Sequence, residues 1–186
     1  MFSEEKATGL AYSFVHKAKG QLPHVKLMKL MYLAERELLR ARGVTMTNDL
    51  LKNLDNGPVL SKSYNCMKRE GQRNTDPNLG KHWRLYLSPI QNKTITEKHP
   101  VIVNRLFMPF QLNVIDRVWD EFNKFSEEDL INYTHDLPEW HNPHGSSKDI
   151  DIYEVFAGLG FSGEELEYRA KRYLTLQNHN ALFAAA

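Results

Sequence analysis

The sequence predicts a mainly α-helical fold: a single compact helical domain of about seven helices with one small β-hairpin. The first observation is that apolar residues recur at three- and four-residue spacing through most of the chain, which is the period of one helix face. The second is that serine or proline starts several of these segments and glycine ends them, as in capped helices. The third is that strict alternation of apolar and polar residues is strong in only one place, around Trp83.

The front of the chain is predicted to form two helices. The first begins after the N-cap residue Ser3 and stops before Gly20. The second opens at Pro23, runs for about five turns and ends at Gly43, the residue type that most often closes a helix. This helix is expected to be the central packing surface of the core. Its apolar stripe is Leu27, Leu30, Met31, Ala34, Leu38 and Ala41.

The middle of the chain is predicted to turn at Gly57 and Pro58. Thr47 is expected to cap a short helix that runs through Leu54 and leads to this corner. Gly57 supplies backbone freedom for a turn, and Pro58 suits the first position of a helix because it has no N–H group to satisfy. The corner should therefore start a helix that reaches about Glu70, with an apolar face made by Leu60, Tyr64 and Met67.

One β-hairpin is predicted over residues 81–88 and 93–97. The apolar residues around Trp83 alternate with more polar neighbours, and turn-forming residues separate the two strands. A lone hairpin is only marginally stable, so it must pack on the helices. Residues 71–80, which precede it, are dense in turn-forming residues and are predicted to be an exposed loop.

The back half is predicted to hold four helices. The first begins at Pro109, and the second begins at Ser126, which forms a capping box with Asp129. Pro138 ends the second helix. The remaining segments are a polar loop at 137–148, a short helix near 150–156, a last helix that opens at Ser162, and a flexible C-terminal tail at 179–186.

Composition narrows the functional classes. The chain has 186 residues, enough for one domain with a real core, and its 24 basic and 23 acidic residues leave a net charge of +1. Such a balance provides no electrostatic footprint for nucleic acid or a membrane surface. The sequence has no apolar run of about 20 residues and no signal-peptide pattern at its start. The single cysteine, Cys66, rules out an intramolecular disulfide and fits a cytoplasmic location.

A histidine cluster is the clearest candidate for enzymatic chemistry. His135, His141 and His144 lie within ten residues, with Asp136 and Glu139 nearby, and such ligands suit zinc or another metal. Their spacing matches no common metal motif, and a histidine at the end of a helix can equally cap its last carbonyl groups. A metal-dependent hydrolase that uses the three histidines therefore stays an alternative, while no nucleophile elbow or phosphate-binding glycine loop is present.

Basic residues in the front half suggest a second alternative, a nucleic-acid-binding transcriptional regulator. An uneven distribution of charge between the two halves can mark a nucleic-acid face. A run of charges is more often a solvated helix face, and the basic residues on the second helix lie off its apolar stripe. The front-half basic residues are Lys17, Lys19, Lys26, Lys29, Arg36, Arg40 and Arg42.

Trp140 is unusual because it lies in a polar loop close to prolines. It either plugs the core from outside or anchors a partner, since tryptophan is enriched in the hot spots of protein interfaces. Both interpretations remain open at this point.

Three stretches carry a resemblance to a known family. Residues 25–36 read VKLMKLMYLAER, residues 54–64 read LDNGPVLSKSY, and residues 130–140 read LINYTHDLPEW. They are similar, in order and spacing, to the KLxKLxYLA helix, the xxGPVxxxxY corner and the LxxxTHxxxPW segment of the Panacea-domain family of SocA-like antitoxins. This family includes phage-associated proteins of the GepA type. In the third stretch Glu139 stands between the proline and Trp140, which departs from the family pattern.

The resemblance implies a single Panacea-like domain over residues 1–178 that works by recognition. It implies the antitoxin of a type II toxin–antitoxin system, which neutralises a cognate toxin by direct protein–protein binding. It implies that the protein is not an enzyme and needs no cofactor, and in some members the antitoxin also delivers the toxin to a cytosolic protease. The positions expected to specify the fold or bind the toxin are Tyr32, Asn56, Gly57, Pro58, Lys62, Tyr64, Trp83, Thr134, His135 and Trp140.

Overall fold

The computed structural model describes residues 1–68 and 78–182, and within them the fold is mainly helical, as predicted. The described residues also form two small antiparallel sheets, one of two strands and one of three. In chain order the elements are α1 (Glu4–Lys17), β1 (Gln21–Pro23), α2 (His24–Arg42), β2 (Leu51–Leu54), β3 (Gly57–Leu60), α3 (Ser61–Met67), α4 (Lys81–Tyr86), β4 (Thr94–Thr96), a 3-10 turn (Val103–Arg105), α5 (Pro109–Phe122), α6 (Glu127–His135), β5 (Lys148–Asp149), α7 (Ile152–Gly158) and α8 (Gly163–Leu182).

Helix α2 is the centre of the core, as predicted. It packs against α1, α5, α6, α7 and the strands β1 and β3. Leu27, Leu30 and Leu38 are completely buried. The helix begins directly after Pro23 and ends at Gly43, whose φ of 68° is the left-handed conformation of a glycine C-cap. Because neighbours surround α2 on most sides, several of its polar side chains are buried together with its apolar ones.

The predicted hairpin over 81–88 and 93–97 is wrong in its first half. Residues 81–86 form the helix α4, and the carboxylate of Glu4 in α1 accepts hydrogen bonds from the N–H groups of Gly80 and Trp83 at its start, both 2.9 Å. This distant cap satisfies the first turn of a helix that the local alternation does not favour. Strand β4 does form, but it pairs with β1 in the register Leu22 opposite Ile95.

The hairpin lies at the Gly57 corner instead. The predicted short helix through Leu54 is the strand β2, which pairs with β3 so that Leu54 lies opposite Gly57. Pro58 belongs to β3 and does not begin a helix. β3 is an outer strand of the sheet β3–β2–β5, a place where the missing N–H of proline is tolerated.

Helix α3 begins at Ser61, three residues later than predicted. The buried carboxylate of Asp49 accepts hydrogen bonds from the N–H groups of Lys62 and Ser63, each 2.8 Å long. Asp49 therefore supplies the cap that fixes the start of α3, and the sequence gives no local sign of it because the acid lies more than ten residues earlier.

The back half follows the local capping signals. Pro109 is the first residue of α5, and Ser126 and Asp129 form the predicted capping box of α6. The last helix, α8, extends to Leu182. Of the predicted exposed loop, residues 71–77 lie outside the described part of the chain. The same holds for residues 183–186 of the predicted tail, so its flexibility stays a prediction. Among the described residues no helix has the length and apolar character needed to cross a membrane.

Candidate functional site

The three sequence stretches meet around Gly57. This glycine has a φ of 96°, and a Cβ atom placed on it would lie 2.7 Å from Oγ1 of Thr134 and 2.8 Å from Nζ of Lys29. Cβ atoms essentially never approach other atoms this closely, so a side chain at position 57 would force Thr134 or Lys29 to move. Gly57 thus brings α2, the β2–β3 hairpin and α6 into close contact, and this contact is the frame of the site.

Lys29 is buried at the base of this contact. Its side chain is 1% exposed, and its ammonium group donates a 2.8 Å hydrogen bond to the carbonyl oxygen of Pro58. No carboxylate of the described residues forms an ion pair with it. Burial lowers the pKa of Lys29 to about 7, because a charged ammonium is poorly solvated inside the protein.

Glu139 fastens the third stretch to α2. Its carboxylate is completely buried and accepts hydrogen bonds from the hydroxyl of Tyr32 at 2.9 Å and from Nε of Arg36 at 2.6 Å. Its backbone carbonyl accepts a third from Nδ2 of Asn53 in β2, at 3.1 Å. Burial, followed by the charge of Glu139, raises the pKa of Tyr32 well above its usual value, so the tyrosine stays a donor.

His135 and Trp140 close the outer side of the hairpin. Their rings stack with centroids 3.7 Å apart, and Nε1 of Trp140 donates to the carbonyl oxygen of Leu54 at 3.2 Å. Nε2 of His135 is buried and has no hydrogen-bond partner in the described part of the chain. Burial and then the charge of Lys29 lower the pKa of His135, while the backbone of Asp55 opposes them.

A cavity of about 240 Å³ opens beside this frame. It lies between the start of α2, the hairpin, α3 and the loop that contains Ser146. Asp55 and Asn56, the two exposed residues of the hairpin turn, stand at its edge, and Tyr64 of α3 lines it. The cavity therefore combines a deeply buried lysine with a rim of side chains that a partner can reach.

Comparison with known proteins bears directly on this arrangement. Residues 27–141 match the family described as antitoxin SocA-like, Panacea domain. The matched segment is more than half of the chain and contains Lys29, Gly57, Glu139 and Trp140. The chain belongs to the SocA-like Panacea-domain family. No curated protein and no solved structure matches it. Membership supports an antitoxin-type function in general.

The Panacea domain brings most of the predicted site positions together. Tyr32, Pro58 and Thr134 are buried within the frame, and Asn56 and Tyr64 face the cavity. Two positions lie elsewhere. Nζ of Lys62 is 5.5 Å from the centroid of the Phe2 ring, in a separate pocket near the N-terminus. Trp83 is completely buried in α4, where Nε1 donates to the carbonyl of Ser88 at 3.1 Å.

The three histidines do not converge. Nε2 of His141 lies 2.8 Å from the carboxylate of Glu154 on the surface, and His144 lies in an exposed turn with a φ of 51°. His135 stacks on Trp140. Within residues 1–68 and 78–182, no group of three potential ligands is placed to hold a metal ion. The described residues therefore supply no set of metal ligands for the metal-dependent hydrolase.

Arg40 and Arg42 of α2 are exposed, but its other basic residues do not form the solvated face expected from sequence. Lys29 is buried, Arg36 pairs with Glu139, and Arg40 pairs with Glu37 in a bidentate contact. Nζ of Lys26 donates to the carbonyl oxygens of Asn123 and Phe125, at 2.7 and 2.6 Å. These cations are occupied within the fold, which weakens the case for a nucleic-acid face on this helix.

Sequence reasoning missed the buried charges that build the site. Lys29 and Arg36 are read from sequence as surface positions, and Glu139 only as a departure from the family pattern. Glu35 is missed entirely; its carboxylate accepts hydrogen bonds from the N–H groups of Met46 and Thr47 and positions the chain that leads to the hairpin. One usable signal exists: α2 has apolar residues on nearly every side, so it must be surrounded by other elements.

Proposed function

We propose that this protein is the antitoxin of a type II toxin–antitoxin pair and neutralises its cognate toxin by direct protein–protein binding. The observation that carries the proposal is the family match over residues 27–141, which includes the whole frame around Gly57. Both partners would act in the cytoplasm. The antitoxin would block the active site of the toxin or the surface that receives the toxin's substrate.

The toxin-binding surface is proposed to lie at the rim of the cavity. Asp55 and Asn56 are exposed at the tip of a two-residue hairpin turn, and Tyr64 is half-buried beside them. Buried hydrogen bonds that Lys29 donates and Glu139 accepts hold this tip and the neighbouring segment in place. A rigid rim loses little conformational entropy on binding, and tyrosine is a common anchor of interfaces. A standard interface of about 800 Å² per partner extends well beyond the cavity.

Delivery of the toxin to a cytosolic protease is a second proposed mechanism, which rests on the family resemblance alone. It predicts that the cellular half-life of the toxin falls when this protein is present. An unchanged half-life together with restored growth supports blockade by binding.

Alanine variants at the rim test the proposed surface. Tyr64→Ala and Asn56→Ala are to be co-expressed with the toxin encoded beside this gene, and growth is to be measured. Both should neutralise the toxin less well than the wild type, while circular dichroism stays unchanged. Lys171→Ala on the exposed face of α8 is the matched control, since the side chain of Lys171 is exposed and pairs with Glu167 one turn away. Full neutralisation by both rim variants would place the toxin-binding surface elsewhere.

A further inference from the structure

The cavity beside Gly57 is lined by a buried lysine, Lys29, to which residues 1–68 and 78–182 supply no counter-ion. Four charged side chains in the described residues are nearly or completely buried: Lys29, Glu35, Asp49 and Glu139. Each of the three acids accepts at least three hydrogen bonds, and Glu139 also pairs with Arg36. Lys29 instead makes one hydrogen bond, to a neutral carbonyl group. A buried ammonium in this state is costly, and the cost is removed either by loss of its proton or by an anion that neutralises it.

The groups around Lys29 favour an anion at this place. The ammonium of Lys29 and the ring of His135 lie on the same side of Gly57, at 2.8 and 3.3 Å from the position that a Cβ would take. Nε2 of His135 is buried and has no hydrogen-bond partner among the described residues, so it can supply a second hydrogen-bond donor when it is protonated. Lys29 also lines the 240 Å³ cavity, which gives a small group an approach from solvent.

We propose that this cavity is a receptor for a carboxylate group, for which Lys29 is the counter-ion. A carboxylate carries the single negative charge that one ammonium can neutralise. A phosphate dianion fits less well, because Asp55 also lines the cavity and would repel a second negative charge. The other titratable groups of the described residues that face the site are His24 and Tyr64, which line the cavity, and His135 behind Gly57. The carboxylate comes either from an acidic side chain of the toxin or from a small free acid. A toxin side chain as the source rests on the proposed function, whereas a small free acid as the source does not.

The first arm of the test uses the isolated protein and sodium acetate as the probe. Acetate is titrated in a carboxylate-free buffer against sodium chloride of equal ionic strength. The signals followed are the Lys29 side-chain carbon next to the amine and the amide of Gly57. Acetate should raise the pKa of Lys29 and shift the Gly57 amide saturably, whereas chloride should do neither. Equal effects of the two salts would overturn the proposal, and this comparison needs no variant to fold.

Lys29→Met removes the charge and keeps the length of the side chain, so the acetate-induced shift of Gly57 should disappear in it. Lys52→Met is the control, because Lys52 pairs with Asp149 at the other side of the sheet. The control should respond to acetate as the wild type does. An acetate response that survives Lys29→Met would also overturn the proposal.

The second arm uses the complex with the toxin and identifies the source. If a toxin side chain enters the cavity, Lys29→Met should weaken toxin binding at least about tenfold, Lys52→Met should not, and bound toxin should abolish the acetate response. If Lys29→Met binds the toxin normally and the wild type binds acetate, the natural ligand of the site is a small free acid. If the wild type does not bind the toxin, the proposed function is wrong. The acetate titration would still show whether the cavity binds a carboxylate.

Discussion

Individual buried charges hold the candidate site together, and Glu139 shows this most clearly. The carboxylate is completely buried, and Arg36 and Tyr32 of α2 donate to it. The pair of His141 and Glu154 has similar geometry but lies on the surface, with both side chains more than 40% exposed. Solvent screens the second pair and not the first, so the two should contribute very differently to stability.

Glu139→Ala should lower the free energy of unfolding by about 3–5 kcal/mol. The substitution leaves the guanidinium of Arg36 nearly buried and unpaired, which is the costly way to break an ion pair. Glu154→Ala, the matched control, should change stability by less than about 1 kcal/mol. Urea denaturation of both variants measures the difference. Equal losses would show that the buried pair does not anchor the segment.

Lys29 should make stability depend on pH. Its pKa is about 7 in the folded protein and 10.5 for an unperturbed lysine. Between those values the unfolded chain binds more protons, so stability rises with pH, and below about pH 7 the full cost of burying the charge is present. Lys29→Met should therefore be more stable than the wild type at pH 6, by at most about 5 kcal/mol at roughly 1.4 kcal/mol per pKa unit.

That advantage of Lys29→Met should shrink as the pH rises towards 10. Denaturation of both proteins across this range measures this advantage. Titratable groups that the two proteins share contribute equally to both stabilities, so they do not affect the difference between them. A difference that does not vary with pH would contradict the lowered pKa of Lys29.

These residue-level features could be predicted from sequence only in part. Gly57 and Thr134 are predicted site positions, and they meet as neighbours around the lysine. The burial of Lys29 and Arg36 could not be read from the helical period, because that period assumes one buried face. α2 has neighbours on several sides, so positions off its apolar stripe are buried as well.

At the scale of the elements, the β2–β3 hairpin depends on the absence of a side chain at Gly57. Gly57→Ala should destabilise the fold through both its positive φ and its contacts with Thr134 and Lys29. Gly160 is a matched control, because its φ of 91° is similar and a Cβ there would meet nothing within 4 Å. Gly160→Ala should cost about 1–2 kcal/mol, the price of the backbone conformation alone.

Thermal unfolding of the two alanine variants separates these effects. The loss for Gly57→Ala should be clearly the larger, since it adds a steric conflict to the same backbone strain. If the two variants lose equal stability, the close approach of α6 and α2 to the hairpin does not constrain position 57.

Helix α4 should depend on Glu4, which lies in another helix. Glu4→Ala removes two hydrogen-bond acceptors from the start of α4 and should cost about 1–2 kcal/mol. Hydrogen exchange of the α4 amides should become faster. Glu5→Ala is the control, because Glu5 occupies the same first turn of α1 and is exposed. Unchanged exchange in α4 after loss of Glu4 would show that packing alone holds this helix.

Helices with local caps were predictable, whereas the elements that depend on distant contacts were not, and the local β2–β3 hairpin was missed as well. The caps at Gly43 and Ser126 lie within the segments that they close, and α2 and α6 were placed correctly. α4 is capped by Glu4, and β2 is paired on one side with β5, which lies far along the chain. Local alternation around Trp83 favoured a strand, but the cap supplied by Glu4 and the packing on α1 stabilise a helix there.

For the whole molecule, the sequence predicted the helical class and the family, whereas the surface proposed to bind a partner could be located only in the structure. The three resemblance stretches lie far apart in the chain and meet only in the fold. There they build a rigid frame with an exposed turn at Asp55 and Asn56. Lys62 belongs to the same sequence stretch but lies in a different pocket, so a sequence motif alone does not define one surface.

The measurement that tests the central claim most directly is recovery of the toxin on this protein from cells whose growth it restores. The affinity-tagged protein is to be co-expressed with the product of the neighbouring gene, and growth and co-purification are to be measured in the same culture. The account predicts that growth is restored and that the toxin is retained in a stable complex of defined stoichiometry. Growth that stays inhibited, or growth that recovers without any toxin bound, would contradict neutralisation by direct binding.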